Sequence, residues 1–353
     1  VGLLPKEAHP CILQLRDFMI SGVANKLQTG TNHQTTTSQN HQCPICLNYT
    51  IHCLNVVIRG MMHPIPLCVA KRLYMSTKKV WFVTGASKGL GLSLVKKLLQ
   101  EGYAVAATSR TVNNLTAAVG AFNQQQLLPL EVNLADAGSI TKAIQQTVAH
   151  FGKIDVVVNN AGYGIGGAVE ELSEKEIQQS FDVNVFAVIK VMQAVMPYFR
   201  KQRSGYIINI SSIAGFAPAT GWAMYAATKY AVMGVSEVMA EDVKELGVHV
   251  TVVAPGGFRT AFLNEESLVY SANTIDEYTG IRASHKRYAG FNGLQQGDPD
   301  KAAAVFIQLA EMPNPPARLY LGSDAYNRAK AKIELLTSEL EANKGISFST
   351  DYI

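Results

Sequence analysis

A doubly wound parallel α/β sheet of about seven strands, with helices on both faces, is the fold this sequence predicts. Three observations predict it. Short β-branched runs alternate with amphipathic stretches, several of those runs are apolar at every position, and the first ends in a glycine-rich turn that opens a helix. The strand runs are Val80–Thr84, Ala104–Thr108, Leu128–Val132, Ile154–Val158, Tyr206–Ile210, Val248–Val253 and Leu319–Leu321. A strand apolar on both faces belongs in a parallel sheet covered on each side. Between the runs, Leu90–Gln100, Ser139–His150, Glu174–Arg200 and Tyr225–Leu246 carry the spacing of helices that pack on such a sheet. No internal repeat is visible. Ala261 to Gly297 departs from the alternation; rich in aromatic and polar residues, it reads as an insertion over the sheet's edge.

The 353 residues allow two domains or one large one with an appendage, and 48% hydrophobic against 16% charged residues excludes a disordered chain. Charge divides at Met75. Six Lys/Arg and two acids precede it, so the whole net charge of +4 lies there and residues 76–353 are balanced. A neutral body gives no support to a nucleic-acid-binding face. All five cysteines (Cys11, Cys43, Cys46, Cys53, Cys68) and five of the eight histidines also precede Met75. The body therefore forms no disulfide and gives no sign of an oxidising compartment. No run of 18 or more apolar residues reads as a membrane span, and no signal-peptide pattern opens the chain. The expectation is a cytoplasmic protein that meets neither nucleic acid nor membrane.

Residues 1–75 form a leader of different composition. Thr29–Gln42 is a Thr/Asn/Gln/His-rich run without apolar periodicity and reads as disorder. Cys43-Pro-Ile-Cys46, with Cys53, His41, His52 or His63 nearby, has the two-residue gap that suits tetrahedral zinc, but no second pair stands at a regular distance. The preferred reading is a leader that is disordered or not native coding sequence, with translation starting at Met75 and no metal. A zinc-dependent interaction module fused to the body stays open.

The first strand runs into Thr84-Gly85-Ala86-Ser87-Lys88-Gly89-Leu90-Gly91. Glycines at a strand-to-helix turn let the backbone approach a pyrophosphate, and the helix N-terminus supplies free N–H donors. The spacing is G-x-x-x-G-x-G, and its place directly after the first strand is the context such a motif requires. The second strand ends in Ala107-Thr108-Ser109-Arg110, without the acid that would bind the ribose hydroxyls of NAD. A 2′-phosphate would be attracted by a guanidinium there, so Arg110 with Lys88 points to NADP(H).

Tyr225 and Lys229, four apart on one helix face, form one of three Tyr-x-x-x-Lys pairs; the others are Tyr74/Lys78 and Tyr326/Lys330. Only Tyr225 has a hydroxyl 13 positions earlier, Ser212, at the end of the strand Ile207–Ile210, where open α/β sheets bind ligands. A free phenol titrates near ~10, so proton exchange at neutral pH requires it to be lowered by about 4 kcal/mol, and an ammonium on the same helix face and a nicotinium ring both act in that direction.

In Thr84–Gly91, Asn159-Asn160-Ala161-Gly162, Asn184, Ser212, Tyr225-x-x-x-Lys229 and Pro255-Gly256-Gly257-Phe258-Arg259-Thr260, in that order, the chain resembles the short-chain dehydrogenase/reductases over about Lys78–Gly322. The resemblance implies a single Rossmann-like sheet and makes residues 76–353 one NADP(H)-binding catalytic domain with a substrate loop at about 261–297. It implies that Tyr225 is the general acid/base, that Ser212 bonds the substrate oxygen, and that Lys229 holds the nicotinamide ribose and lowers the tyrosine. Asn184 would hold a water in the proton relay. Gly85, Ser87, Lys88, Gly89, Leu90 and Gly91 would cradle the phosphates, with Asn160, Ala161 and Gly162 beside the adenosine and Asn160 mainly structural. Pro255, Gly256, Phe258 and Thr260 would lie along the nicotinamide. One position departs from the family pattern: Asn133, followed by Leu134, stands where an acid usually meets the adenine.

The expected reaction is hydride transfer between NADP(H) and a small-molecule carbonyl or secondary alcohol. Tyr163, Phe216, Trp222, Phe262, Tyr270, Tyr278, Tyr288 and Phe291 offer an apolar site for it, though half of them could equally pack the loop's own core. The insertion and the Gly322-Ser-Asp tail resemble the retinol- and hydroxysteroid-like oxidoreductases. Family analogy further implies a homodimer or homotetramer paired through the long helices. A non-catalytic NADP(H)-binding sensor is the rival reading; such proteins usually lose the serine, tyrosine or lysine, and this chain keeps all three.

Overall fold

The computed structural model describes residues 78–264 and 267–352; the leader and its cysteine and histidine cluster lie outside the described residues. Strands β1 (Val80–Val83), β2 (Ala104–Ser109), β3 (Leu127–Glu131), β4 (Val156–Asn159), β6 (Gly205–Ile210), β7 (Val248–Pro255) and β9 (Arg318–Leu321) form one parallel sheet in the order β3-β2-β1-β4-β6-β7-β9. All seven coincide with the expected runs to within one or two residues at most ends. The order reverses between β1 and β4, and a crevice opens outside the carboxyl ends of strands at such a switch point.

The alternation of side chains along each strand feeds two cores. Trp81 and Val83 of β1 point to one face, where they meet Leu94, Val95 and Leu98 of α1 (Gly89–Gln100), Leu115 of α2 (Val112–Val119) and Phe306 of α8 (Pro299–Glu311). Phe82 points to the other. There it joins Ile140 and Ile144 of α3 (Ala137–Phe151), Val191, Val195 and Phe199 of α5 (Ala187–Gln202) and Val232 of α6 (Ala223–Asp242). Each such fully buried side chain contributes about 1.5–3 kcal/mol. This two-sided burial is why the strands read as continuous apolar runs.

Helix α4 (Glu174–Phe181) starts at a capping box, Ser173 with Glu176, and passes through one π turn, Asp182–Phe186, into α5. The combined run Glu174–Gln202 is long and apolar enough to cross a membrane by length and composition, a point the apolar-run criterion missed. Its buried side chains pack against the sheet. Pro197 sits inside α5 without ending it.

The insertion is not laid over a sheet edge as expected. It contains a short 3₁₀ turn (Ala261–Leu263), strand β8 (Leu268–Tyr270) and helix α7 (Thr279–Gly290). β8 pairs in parallel with β5 (Gly164–Gly166), the extended segment that follows β4, so the insertion is fixed above the carboxyl ends of the central strands. A buried carboxylate pins it. Glu171, fully buried, accepts hydrogen bonds from the backbone N–H groups of Ala168 (2.7 Å) and Ile275 (2.7 Å) and pairs with Arg282 of α7. The last helices are α9 (Ser323–Ala342) and α10 (Lys344–Phe348).

Candidate active site

The glycine turn between β1 and α1 is built for close approach. Gly85 has φ +64° and Gly89 φ +58°, the left-handed region where a side chain is strained. A Cβ on Gly85 would lie 2.8 Å from the Cα of Ala161. The turn is tied to the strand beside it: Asn160 Nδ2 donates to the carbonyls of Thr84 and Gly85, both at 3.0 Å, while Thr84 Oγ1 accepts from the N–H groups of Asn160 (3.0 Å) and Ala161 (3.1 Å). Helix α1 then begins at Gly89, after the N-cap Lys88, with no side-chain cap and no acid in its first turn. Its N–H donors and dipole are left for an anion, the arrangement that binds phosphate.

A cavity of about 1170 Å³ starts at this turn and runs over the ends of β1, β2, β4 and β6. Gly85, Ser87, Lys88, Gly89, Leu90, Arg110, Asn133, Leu134, Asn160, Ala161, Gly162, Pro255, Gly256, Phe258 and Thr260 line it together with Ser212, Tyr225 and Lys229. Among those lining residues Lys88 and Arg110 place two cations at the β1 and β2 ends, and Asn133 turns its Oδ1 to the N–H of Ala135 (3.1 Å). The cradle, the uncapped helix and the absence of an acid at the end of β2 fit a dinucleotide with its diphosphate on α1.

Two expected residues do not line the cavity. Gly91 lies beneath the turn, where a Cβ would strike Asn160 Nδ2 at 2.4 Å, so glycine there is a packing requirement. Asn184, fully buried in the π turn, binds protein through both amide atoms: Oδ1 accepts from Tyr163 N (3.0 Å), and Nδ2 donates to Tyr163 O (2.8 Å) and Thr228 Oγ1 (3.1 Å). One lone pair of Oδ1 is the hydrogen-bonding capacity its side chain has left.

Ser212 stands two residues beyond β6 and caps the short 3₁₀ turn Ile213–Gly215 by accepting from Ala214 N (3.1 Å). Tyr225 and Lys229 enter from α6, on the same face. Lys229 is buried, its Nζ donates to the carbonyl of Ile210 (2.9 Å), and it stands 5.9 Å from the centre of the Tyr225 ring. Burial pushes Lys229 down to about 8. Burial also pushes Tyr225 up to about 12, against which the hydrogen bond with Ser212 acts. Within the protein, burial outweighs the Ser212 hydrogen bond, and the nicotinium ring expected to help lower the phenol belongs to the cofactor. A polar ladder fixes the strands beneath, with Asn159 Nδ2 on Asn209 Oδ1 (2.8 Å) and Asn209 Nδ2 on Ser236 Oγ (2.9 Å).

The Pro255–Thr260 turn is braced by a residue that sequence reasoning passed over. Asp324, at the start of α9, accepts from Gly257 N (2.8 Å) and fills the space where a Cβ of Gly256 would be. Only the Gly322-Ser-Asp resemblance drew attention to it.

Of the eight aromatics proposed for the substrate side, Tyr163, Trp222, Phe262, Tyr288 and Phe291 line the cavity. The other three are used elsewhere. Phe216 packs on Tyr320, Tyr270 stacks against Trp222 and His285, and the hydroxyl of Tyr278 reaches Glu170. Ile165, Leu268, Val269 and Leu294 complete an apolar wall, and Arg287 stands among them. His285, unnoticed in the sequence, joins α7 to the Gly221 carbonyl through Nε2 (3.0 Å) and packs on Trp222 with ring centres 4.9 Å apart.

Likenesses to known proteins bear on this site. The family described as short chain dehydrogenase matches residues 79–269. The oxidoreductase BOA17 of Botryotinia fuckeliana is 33% identical over 272 residues, 77% of this chain and 99% of that protein. The 3-ketodihydrosphingosine reductase of Bacteroides thetaiotaomicron is 32% identical over 244 residues, 69% and 88%. A crystal structure of a short-chain dehydrogenase from Streptomyces avermitilis superposes with a TM-score of 0.72 at 32% identity, covering 77% of this chain and all of that one.

Proposed function

The chain belongs to the short-chain dehydrogenase family, oxidoreductases that transfer hydride with a nicotinamide cofactor, and on that premise we propose that it uses NADP(H) to interconvert an apolar carbonyl compound and its secondary alcohol. The observation that carries the reading is the convergence of Ser212, Tyr225 and Lys229 on the cavity whose far end is the uncapped N-terminus of α1. When bound, the cofactor supplies or accepts the hydride at its nicotinamide C4.

The chain's own residues handle the oxygen. In reduction, the phenol of Tyr225 gives its proton to the carbonyl oxygen as the carbon takes hydride; in oxidation the proton returns. Ser212 Oγ holds that oxygen without ionising. Lys229 places positive charge beside the phenol, 5.9 Å from its ring centre, and would hold the ribose hydroxyls. Asn184 acts as a positioning residue, holding Tyr163 and, through Thr228, the helix that bears Tyr225 and Lys229. Arg110 and Lys88 favour the 2′-phosphate of NADP(H) over NAD(H), since no acid is there to repel it.

On the substrate side, Trp222, Phe262, Tyr288 and the apolar wall favour a ketone or aldehyde with a hydrophobic body. One relative is named for a ketone, 3-ketodihydrosphingosine, and a long apolar carbonyl compound belongs in the panel for that reason. The test is steady-state consumption of NADPH against NADH with aromatic, alicyclic and long-chain ketones and aldehydes. Turnover with a strong preference for NADPH supports the proposal. NADPH binding with no turnover in either direction would favour a sensor, and a preference for NADH would remove Arg110 and Lys88 from their role.

A further inference from the structure

Helix α9 leaves the body part-way along its length. Its first turns are docked, with Ala325 and Ala329 buried against Ile213, Phe216, Ala217 and Tyr320. Every residue from Ile333 to Tyr352 is exposed, although α9 stays helical to Ala342. At 3.6 residues per turn, Ala325, Ala329, Ile333, Leu336 and Leu340 fall on one stripe. The apolar seam that holds α9 to the body therefore continues bare beyond it, leaving Ile333 51%, Leu336 41% and Leu340 68% exposed. A helical stretch this short is marginal in water unless an apolar face is packed.

We infer that the projecting half of α9 pairs antiparallel with the same half of a second copy of the chain, about a two-fold axis at Leu336. The arrangement of charge selects both the occupant and the direction. Lys330 and Lys332 flank the seam on its body side, and Glu339 and Glu341 flank it toward the tip. Turned antiparallel about Leu336, Ile333 meets the partner's Leu340, Leu336 meets the partner's Leu336, and each copy's two lysines lie beside the partner's Glu339 and Glu341. A parallel pair would set lysine level with lysine and glutamate level with glutamate. An anionic lipid surface would attract the lysines and repel the glutamates of the same stripe. The contact is separate from the long helices α5 and α6, and it uses no residue of the catalytic set.

Sedimentation velocity on the full chain tests it, with NADPH binding and circular dichroism as controls for the fold. The wild-type chain self-associates, and Leu336→Asp loses one association step with both controls unchanged. The variants K330E/K332E and E339K/E341K each lose the same step when alone. Mixed in equal amounts they regain it, because one carries an all-acidic and the other an all-basic flank. The inference is overturned if the wild-type chain does not associate, if Leu336→Asp leaves association unchanged, or if the two reversed variants stay apart on mixing.

Discussion

Replacing Lys229 by Met separates what this residue costs the fold from what it does for catalysis. Lys229 titrates near 8 in the folded chain and ordinarily near 10.5. Between those values the unfolded chain binds more protons than the folded one, so wild-type stability rises with pH from about 8 toward 10.5. The gap corresponds to about 3 kcal/mol once the whole window is crossed. Below pH 8 both states carry the proton and the full cost of burying the ammonium is present. Lys229→Met removes that cost and the pH dependence with it, while leaving the carbonyl of Ile210 without its donor, a loss of about 1–3 kcal/mol. The variant is accordingly close to wild type in stability at neutral pH, relatively less stable near pH 10, and severely reduced in turnover. Urea unfolding of the cofactor-free protein at pH 7, 8.5 and 9.5 reads this directly. Identical pH dependence in wild type and variant would refute the burial argument for Lys229.

Three further outcomes follow from the same geometry. Tyr225→Phe keeps NADPH binding, measured by fluorescence titration, and loses about 10²–10⁴-fold in kcat because the proton donor is gone. In the direction of carbonyl reduction, kcat/KM is level up to about pH 8 and falls above it as Lys229 loses its charge, while Tyr225, pushed up to about 12, stays protonated throughout; a pH–rate profile with no fall by pH 9.5 would contradict this. Glu171→Gln breaks a buried pair and frees α7, costing about 3 kcal/mol of stability in thermal or urea unfolding. It raises KM for bulky carbonyl substrates more than for small ones and leaves NADPH affinity unchanged.

The main sheet was legible because its strands are buried on both faces and so announce themselves as β-branched runs. The glycine turn, Ser212, Tyr225 and Lys229 were legible for a different reason: each sits at a strand end or on a helix face where spacing fixes position. What stayed hidden depends on long-range pairing. β5 is Gly-Ile-Gly, with almost no strand propensity of its own, and exists because it pairs with β8 about a hundred residues later. Glu171 and Arg282 are 111 positions apart, and nothing in either's surroundings marks the pair. The aromatics of the insertion could not be sorted into lining and packing residues from composition; Tyr270 and Tyr278 face its own framework, while Tyr288 and Phe291 face the cavity. Asn184 lies in the motif order, yet its burial within a π turn, and the bonding of its amide to Tyr163 and Thr228, have no sequence signal.

The central claim is that hydride passes between the nicotinamide and a carbonyl carbon while Tyr225 supplies the proton. Deuteride transfer tests it most directly. With NADPH carrying deuterium on one face of C4 and the best carbonyl compound of the panel, the product alcohol carries deuterium on its carbinol carbon from one face only, and Tyr225→Phe slows the appearance of that labelled alcohol about 10²–10⁴-fold at full NADPH occupancy. Product without deuterium from either face, or labelled alcohol formed by Tyr225→Phe at the wild-type rate, would contradict the account.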